Sequence, residues 1–121
     1  MGEKKVLVVD DELVWRKLLS RLFAARGYSV VTAASCAEGV AAAARERPDC
    51  AVVDFNLGDG DAGEVCRALR CLGEKHIPVI IFSCDPAASR CLSGDYAADL
   101  VVYKDSPISR LPGLMDFFFP R

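Results

Sequence analysis

Val6-Leu7-Val8-Val9-Asp10-Asp11 is a run of aliphatic residues closed by two aspartates. An unbroken aliphatic run of this kind marks a strand buried on both faces. The pattern returns at Cys50-Ala51-Val52-Val53-Asp54, at Pro78-Val79-Ile80-Ile81-Phe82-Ser83 and at Leu100-Val101-Val102-Tyr103-Lys104. A further short strand runs from Tyr28 to Ala33. Helical spacing fills the gaps. After the first strand, Val14, Leu18 and Leu22 form one apolar row and Trp15, Leu19 and Phe23 a second, with Gly27 as the stop. Ser35-Cys36-Ala37-Glu38 has the form of a capping box, and an Ala-rich helix follows through Val40 to Arg47 until Pro48 ends it. Glu64 to Glu74 reads as a third helix with Val65, Leu69 and Leu72 inward. Asp85-Pro86 sets a capping acid before a proline, so a fourth begins there. In the fifth, Pro107 and Pro112 predict a short front or a restart at Pro112.

Strand and helix alternate five times, which implies one α/β domain over residues 1–121, doubly wound around a parallel sheet with helices on both faces. The length of 121 residues allows one such domain. Hydrophobic residues at 52% and charged residues at 26% support a proper core and argue against disorder. The net charge of −2 carries no basic stripe, so nucleic acid is not a direct partner. No apolar run is long enough for a bilayer. The charged stretch Met1 to Lys5 leads into a run too short for a signal-peptide core, so a cytoplasmic location is expected. Six cysteines, Cys36, Cys50, Cys66, Cys71, Cys84 and Cys91, form no C-x-x-C pair, and the single His76 has no metal-type spacing to them. They read as small buried hydrophobes. Phe117, Phe118 and Phe119 are consecutive and span about 200° of a helix, so at least one faces solvent or a partner.

The chemistry lies where strands end. Asp10 and Asp11, Asp54, Ser83 and Lys104 close separate strands, and right-handed crossovers bring all those ends to one edge. Crowded carboxylates repel one another, which raises a pKa or draws in a cation. Few hard oxygen ligands suit Mg²⁺ (or Mn²⁺), which keeps waters and accepts a phosphate oxygen. A carboxylate is also a competent nucleophile toward phosphorus, forming an aspartyl phosphate. Phosphoryl transfer needs positioning and charge neutralisation, which Lys104 and the Ser83 hydroxyl can supply. Each element also has a plain reading. Two aspartates after a strand can simply cap the next helix, a strand-end serine is common, and a lone lysine usually lies on the surface. Their convergence on one edge carries the functional reading.

Taken in order, four segments resemble the receiver domains of response regulators: Val6 to Glu12, Pro48 to Asp54, Pro78 to Ser83 and Asp99 to Lys104. The resemblance covers nearly the whole chain. It implies a flavodoxin-like three-layer sandwich of five parallel strands in the order 2-1-3-4-5 with five helices. It also implies that Asp54 is the phosphoacceptor. Asp11, Asp54 and the backbone carbonyl of Asn56 would hold Mg²⁺, with Asp10 acting mainly through a water. Ser83 would be the switch hydroxyl and Lys104 the phosphate-binding cation. The donor would be a phosphohistidine on a histidine kinase or histidine phosphotransfer protein, and the domain would turn over nothing beyond its own phosphorylation and dephosphorylation. A homodimer contact or an effector domain outside these residues would account for an exposed phenylalanine.

The chain departs from the pattern at several points. Val101 holds the place of the family's switch aromatic, while Tyr103 lies on the same side of the strand by alternation. Asp105 follows Lys104 where proline is usual, so a trans bond is expected. Gly58 and Ala62 replace a loop proline and glycine, which predicts a looser or differently shaped loop. Asn56 and Asp85 hold positions that tune dephosphorylation in the family. A pseudo-receiver used only for binding or dimerisation is the alternative. A flavin protein would need a Ser-, Thr- and Gly-rich loop after the first strand, and an aspartyl phosphatase a second acid at the place of Asn56.

Overall fold

The computed structural model of the chain describes residues 3–94 and 96–119. Met1 and Gly2, at the start of the charged N-terminal stretch, and the last two residues lie outside the described residues. Five strands form one parallel sheet: β1 (Lys5–Val9), β2 (Ser29–Ala33), β3 (Cys50–Val53), β4 (Val79–Ser83) and β5 (Leu100–Tyr103). Their spatial order is β2-β1-β3-β4-β5, as expected. Alternation along each strand divides the core. Leu7, Val9, Ala51, Val53, Val79 and Ile81 point to the side of α2 (Cys36–Glu46) and α3 (Ala62–Arg70). Val6, Val8, Cys50, Val52, Ile80 and Phe82 point to the side of α1 (Leu13–Ala25) and α4 (Leu111–Asp116). Both faces are covered, which is why the strands read as unbroken apolar runs.

The helices refine the expected picture. In α1 the row Trp15, Leu19, Phe23 faces the sheet, whereas Val14 and Leu18 of the other row are exposed at 57% and 37%. A helix over a sheet buries one stripe, and the two rows compete for it. Gly27, with φ of +89°, ends α1. Its N–H bonds the Ala24 carbonyl, and the N–H of Tyr28 bonds that of Phe23, the paired bonds of a Schellman motif. Ser35 caps α2 by accepting from Glu38 N–H, but the Glu38 carboxylate returns to Ala34 N–H rather than to the cap residue itself. Gly39 lets α2 approach closely: a Cβ there would meet Val9 and Val65 methyls at 3.1 Å.

Two expectations are corrected. The third helix ends at Arg70, not Glu74, because Leu72 N–H closes a tighter bond to the Leu69 carbonyl as the chain turns toward Gly73. The segment capped by Asp85 is a 3₁₀ helix (Pro86–Leu92), so the fourth α-helix is replaced. Asp85 does cap it, accepting from Ala87 N–H at 2.9 Å. Buried Ala88, Cys91 and Ala98 hold this crossover close to the sheet. At the C-terminus a 3₁₀ turn (Ile108–Arg110) precedes α4, which restarts with Pro112 in its first turn. Asp116 anchors α4 by pairing with Arg26 and accepting from the Tyr28 hydroxyl at 2.7 Å. Phe117 is 86% exposed, while Phe118 and Phe119 pack against the α1 side of the core. No peptide bond among the described residues is cis.

Four cysteines are buried as expected, but Cys71 and Cys84 are exposed. Burial pushes the thiols of Cys36 and Cys66 up to about 12 and that of Cys91 to about 11, and it raises Cys50 as well. Only thiolates attack thiol reagents readily. Counting modified thiols by mass at neutral pH should give two fast sites, Cys71 and Cys84, in the native protein and six after unfolding. Fast modification of a third site would show that the core opens locally.

Candidate functional site

The C-terminal ends of β1, β3, β4 and β5 bring the site together. Register pairs Val9 with Val53, so Asp10 and Asp54 emerge side by side, and Asp54 N–H bonds the Val9 carbonyl at 2.9 Å. Ser83 pairs with Tyr103, and Lys104 N–H bonds the Ser83 carbonyl at 3.0 Å. All four polar residues are buried: Asp10, Asp54, Ser83 and Lys104 expose at most 8% of their surface. Residues distant in sequence therefore meet at one edge because neighbouring parallel strands end level.

Lys104 holds the centre. Its ammonium lies 2.9 Å from the Asp10 carboxylate and 3.0 Å from that of Asp54, with Glu12 at 4.0 Å. Beside it lie Trp15 and Phe82, whose rings meet edge to face with centroids 5.4 Å apart. The ammonium sits 5.1 Å from the Trp15 ring centre and 5.7 Å from that of Phe82. Trp15 is thus a packing residue at the mouth of the site. Burial works against the charged form of Lys104, but the hydrogen bonds to Asp10 and Asp54 outweigh it and raise its pKa. Burial raises the pKa of Asp10, against the lowering influence of Glu12 N–H and Lys104.

Asp10 combines the two roles open to it in sequence. Its carboxylate accepts from Glu12 N–H at 2.9 Å, which shapes the turn into α1, and it also pairs with Lys104. Asp11 is exposed, and its carboxylate faces Gly58 of the loop that follows β3. The carboxylates of Asp10, Asp11 and Glu12 lie within 4.8 Å of one another. Glu12 at the start of α1 is exposed, and it belongs to this acidic group. One ammonium pairs with Asp10 and Asp54 while Asp11 and Glu12 lie beside Asp10, so negative charge is left over. A hard divalent cation fits that donor set. The short bridge between Asn56 and Asp61 is made by Leu57 N–H on the Gly60 carbonyl and Ala62 N–H on the Phe55 carbonyl, and neither bond uses the Asn56 carbonyl.

Other links were not legible in the sequence. The Asn56 side chain donates to Asp85 at 2.9 Å, so the two positions flanking Asp54 and Ser83 touch across the mouth. That bond and Ala87 N–H hold Asp85 below the usual carboxylate range, the latter contributing more. The Ser83 hydroxyl accepts from Asp85 N–H at 3.1 Å. Arg16 donates to the Asp10 carbonyl at 2.8 Å. Tyr103 packs on the same side of the sheet as Val101 and donates its hydroxyl to the Pro86 carbonyl at 3.2 Å, linking β5 to the crossover that follows Ser83. No helix among the described residues is long and apolar enough to cross a membrane.

Comparison with known proteins agrees with this geometry. The family model described as the response regulator receiver domain matches residues 6–114. The response regulator MprA of Mycobacterium leprae (strain TN) is 35% identical over 96 residues, 78% of this chain and 42% of that protein. The acid tolerance regulatory protein ActR of Sinorhizobium medicae (strain WSM419) is 43% identical over 68 residues, 56% of this chain and 35% of that protein. The chain thus spans less than half the length of these curated relatives. Among solved structures, the chemotaxis protein CheY4 of Vibrio cholerae superposes with a TM-score of 0.85 at 25% identity, covering 98% of this chain and 100% of that one. A CheY-like receiver domain protein from Methanospirillum hungatei JF-1 shares the fold with a TM-score of 0.84 at 23% identity, covering 97% and 94%. With its strand order, its acidic edge and the extent of the family match together, this chain belongs to the response regulator receiver domains.

Proposed function

We propose that the chain is a phosphorylation switch that accepts a phosphoryl group on Asp54 from a phosphohistidine of a histidine kinase or histidine phosphotransfer protein. The observation that carries this reading is the buried Lys104 ammonium joined to both Asp10 and Asp54. A carboxylate oxygen of Asp54 attacks phosphorus, the P–N bond breaks, and the imidazole leaves with the electron pair. Lys104 neutralises the phosphoryl oxygens as negative charge gathers there. A Mg²⁺ or Mn²⁺ ion held by Asp11, Asp54 and the Asn56 carbonyl, with Asp10 nearby, would add Lewis-acid neutralisation of the same oxygens. Ser83 gains a hydrogen-bond acceptor only after transfer, which biases the β4 end between two arrangements. The domain would act on no substrate other than its own aspartyl phosphate. A cytoplasmic setting suits both the donor and the cation, and exposed Phe117 suits a contact with a second copy or an effector domain.

Intact mass after incubation with acetyl phosphate tests the acceptor. We expect one added phosphoryl group that requires Mg²⁺ and is absent from Asp54→Ala. Failure to gain it under any condition, with no cation binding, would favour a module that works unphosphorylated. Replacing Lys104 with Gln should slow the transfer by roughly 10²-fold, as loss of one preorganised donor does elsewhere. An unchanged rate would remove Lys104 from the chemistry. Mg²⁺ at a hundredfold excess over its dissociation constant should stabilise the fold by about 2.7 kcal/mol. That corresponds to a Tm rise of roughly ten degrees for a domain of this size. In Asp11→Asn most of the rise should vanish. A rise of equal size in the variant would place the cation elsewhere.

A further inference from the structure

The loop between β3 and α3 carries Asn56, and its shape rests on a contact from outside the acidic pocket. Gly58 takes φ of +80°, a conformation closed to proline, whose ring fixes φ near −65°. A glycine at the bend of a loop leaves it free to wander. The neighbouring residue restrains it. The two carboxylate oxygens of Asp59 accept from Cys36 N–H at 2.8 Å and Ala37 N–H at 3.0 Å, the first two amides of α2. Those amides have no partner inside the helix. They hold the Asp59 carboxyl below its usual range, Ala37 N–H contributing most.

This contact runs to the Asn56 carbonyl through a short chain of bonds. Asp59 N–H bonds the Leu57 carbonyl at 2.9 Å, and Leu57 N–H bonds the Gly60 carbonyl at 3.0 Å. Leu57 N–H and the Asn56 carbonyl belong to one planar trans peptide, so fixing the direction of the first fixes that of the second. The far side of the loop is held independently. Asp61 caps α3 by accepting from Gly63 N–H at 2.8 Å and from the Tyr96 hydroxyl at 2.7 Å. Leu57 is buried in the core, and the exposed apex from Gly58 to Gly60 is held by the Asp59 clasp.

We propose that Asp59 is a positioning residue for cation binding: by clasping the first two amides of α2 it fixes the peptide that presents the Asn56 carbonyl to the acidic pocket. This rests on the phosphoacceptor reading. Asp59 does not itself join the acidic group of Asp10, Asp11 and Glu12. It acts through the backbone, and it couples the start of α2 to the site. In a chain with glycine at position 58, this clasp supplies the stiffness that a proline cannot supply at that φ.

Calorimetric Mg²⁺ titration of the unphosphorylated protein tests it. Four chains are compared: wild type, Asp59→Ala, Asp59→Asn and Ser35→Ala. Freeing one or two loop residues should weaken Mg²⁺ about fivefold or more in Asp59→Ala. Asp59→Asn keeps one acceptor oxygen and should fall between that and wild type. It also serves as the test should the alanine variant fail to fold. Ser35→Ala removes the other cap of the same helix end, so it should lower Tm yet leave Mg²⁺ affinity unchanged. Hydrogen exchange at the Leu57 amide should quicken only in the Asp59 variants. The proposal is overturned by unchanged affinity in a folded Asp59→Ala. It is equally overturned if Ser35→Ala weakens Mg²⁺ as much. Equal weakening in both Asp59 variants that disappears at high salt would mark a through-space charge effect and overturn it too. A wild type that binds no Mg²⁺ and takes no phosphoryl group would sink the phosphoacceptor reading itself.

Discussion

Everything at this site turns on a buried ammonium shared by two carboxylates. Removing Lys104, Asp10 and Asp54 from water is costly for each, and the cost is met only by close pairing. The fold makes that pairing reachable. β4 lies between β5 and β3, so a group at the end of β5 must cross two strand spacings, about 10 Å, to meet Asp54. A long, flexible side chain with a compact charge can do so. Its ammonium also lies against the rings of Trp15 and Phe82, which help to shield the charge from water. The bridge pulls together the ends of β1, β3 and β5, and it leaves an excess of negative charge that invites a cation.

The loops around this bridge are tied to their neighbours by more bonds than their composition suggests. A glycine- and aspartate-rich stretch reads as a mobile connection. In the folded chain its aspartates are engaged with backbone amides or hydroxyls rather than with solvent alone. Asp59 clasps α2, Asp61 caps α3 and meets Tyr96, and Asn56 reaches Asp85 across the mouth. Side-chain carboxylates satisfying helix N-termini are charge-assisted bonds, stronger than neutral ones. The loop is thereby tied to α2 and α3 and to the crossover after β4. A displacement of Ser83 or Asn56 would be felt by each of those elements.

The β4–β5 crossover is the chain's largest departure from an ideal alternation. Seven residues of 3₁₀ helix replace a longer α-helix. Small buried residues, Ala88, Cys91 and Ala98, draw the backbone onto the sheet, and Ala97 takes a positive φ of 45° to make the turn into β5. The Tyr103 hydroxyl then bonds the first carbonyl of this crossover, at Pro86. A tyrosine at the last position of β5 thus ties that strand to the start of the crossover.

The chain's own residue pattern sufficed for the five strands, the burial of β1, β3 and β4 on both faces and the polar strand ends, because the inner strands of a parallel sheet covered on both sides demand unbroken aliphatic runs and end at one edge. It also sufficed for the Gly27 stop and the Ser35 and Asp85 caps, since each is a local matter of φ, hydrogen-bond donors and side-chain reach, and it narrowed the last helix to a short front or a restart at Pro112. It did not decide which of two apolar rows α1 would bury, nor whether the segment after Asp85 would wind as α or 3₁₀. Those outcomes depend on the space left by neighbouring elements. The clasp of Asp59 on α2, the Asn56–Asp85 bond and the double pairing of Lys104 were likewise settled only by tertiary structure. Each joins residues at least 20 positions apart, and neither periodicity nor propensity carries information about which distant polar groups packing will bring within 3 Å.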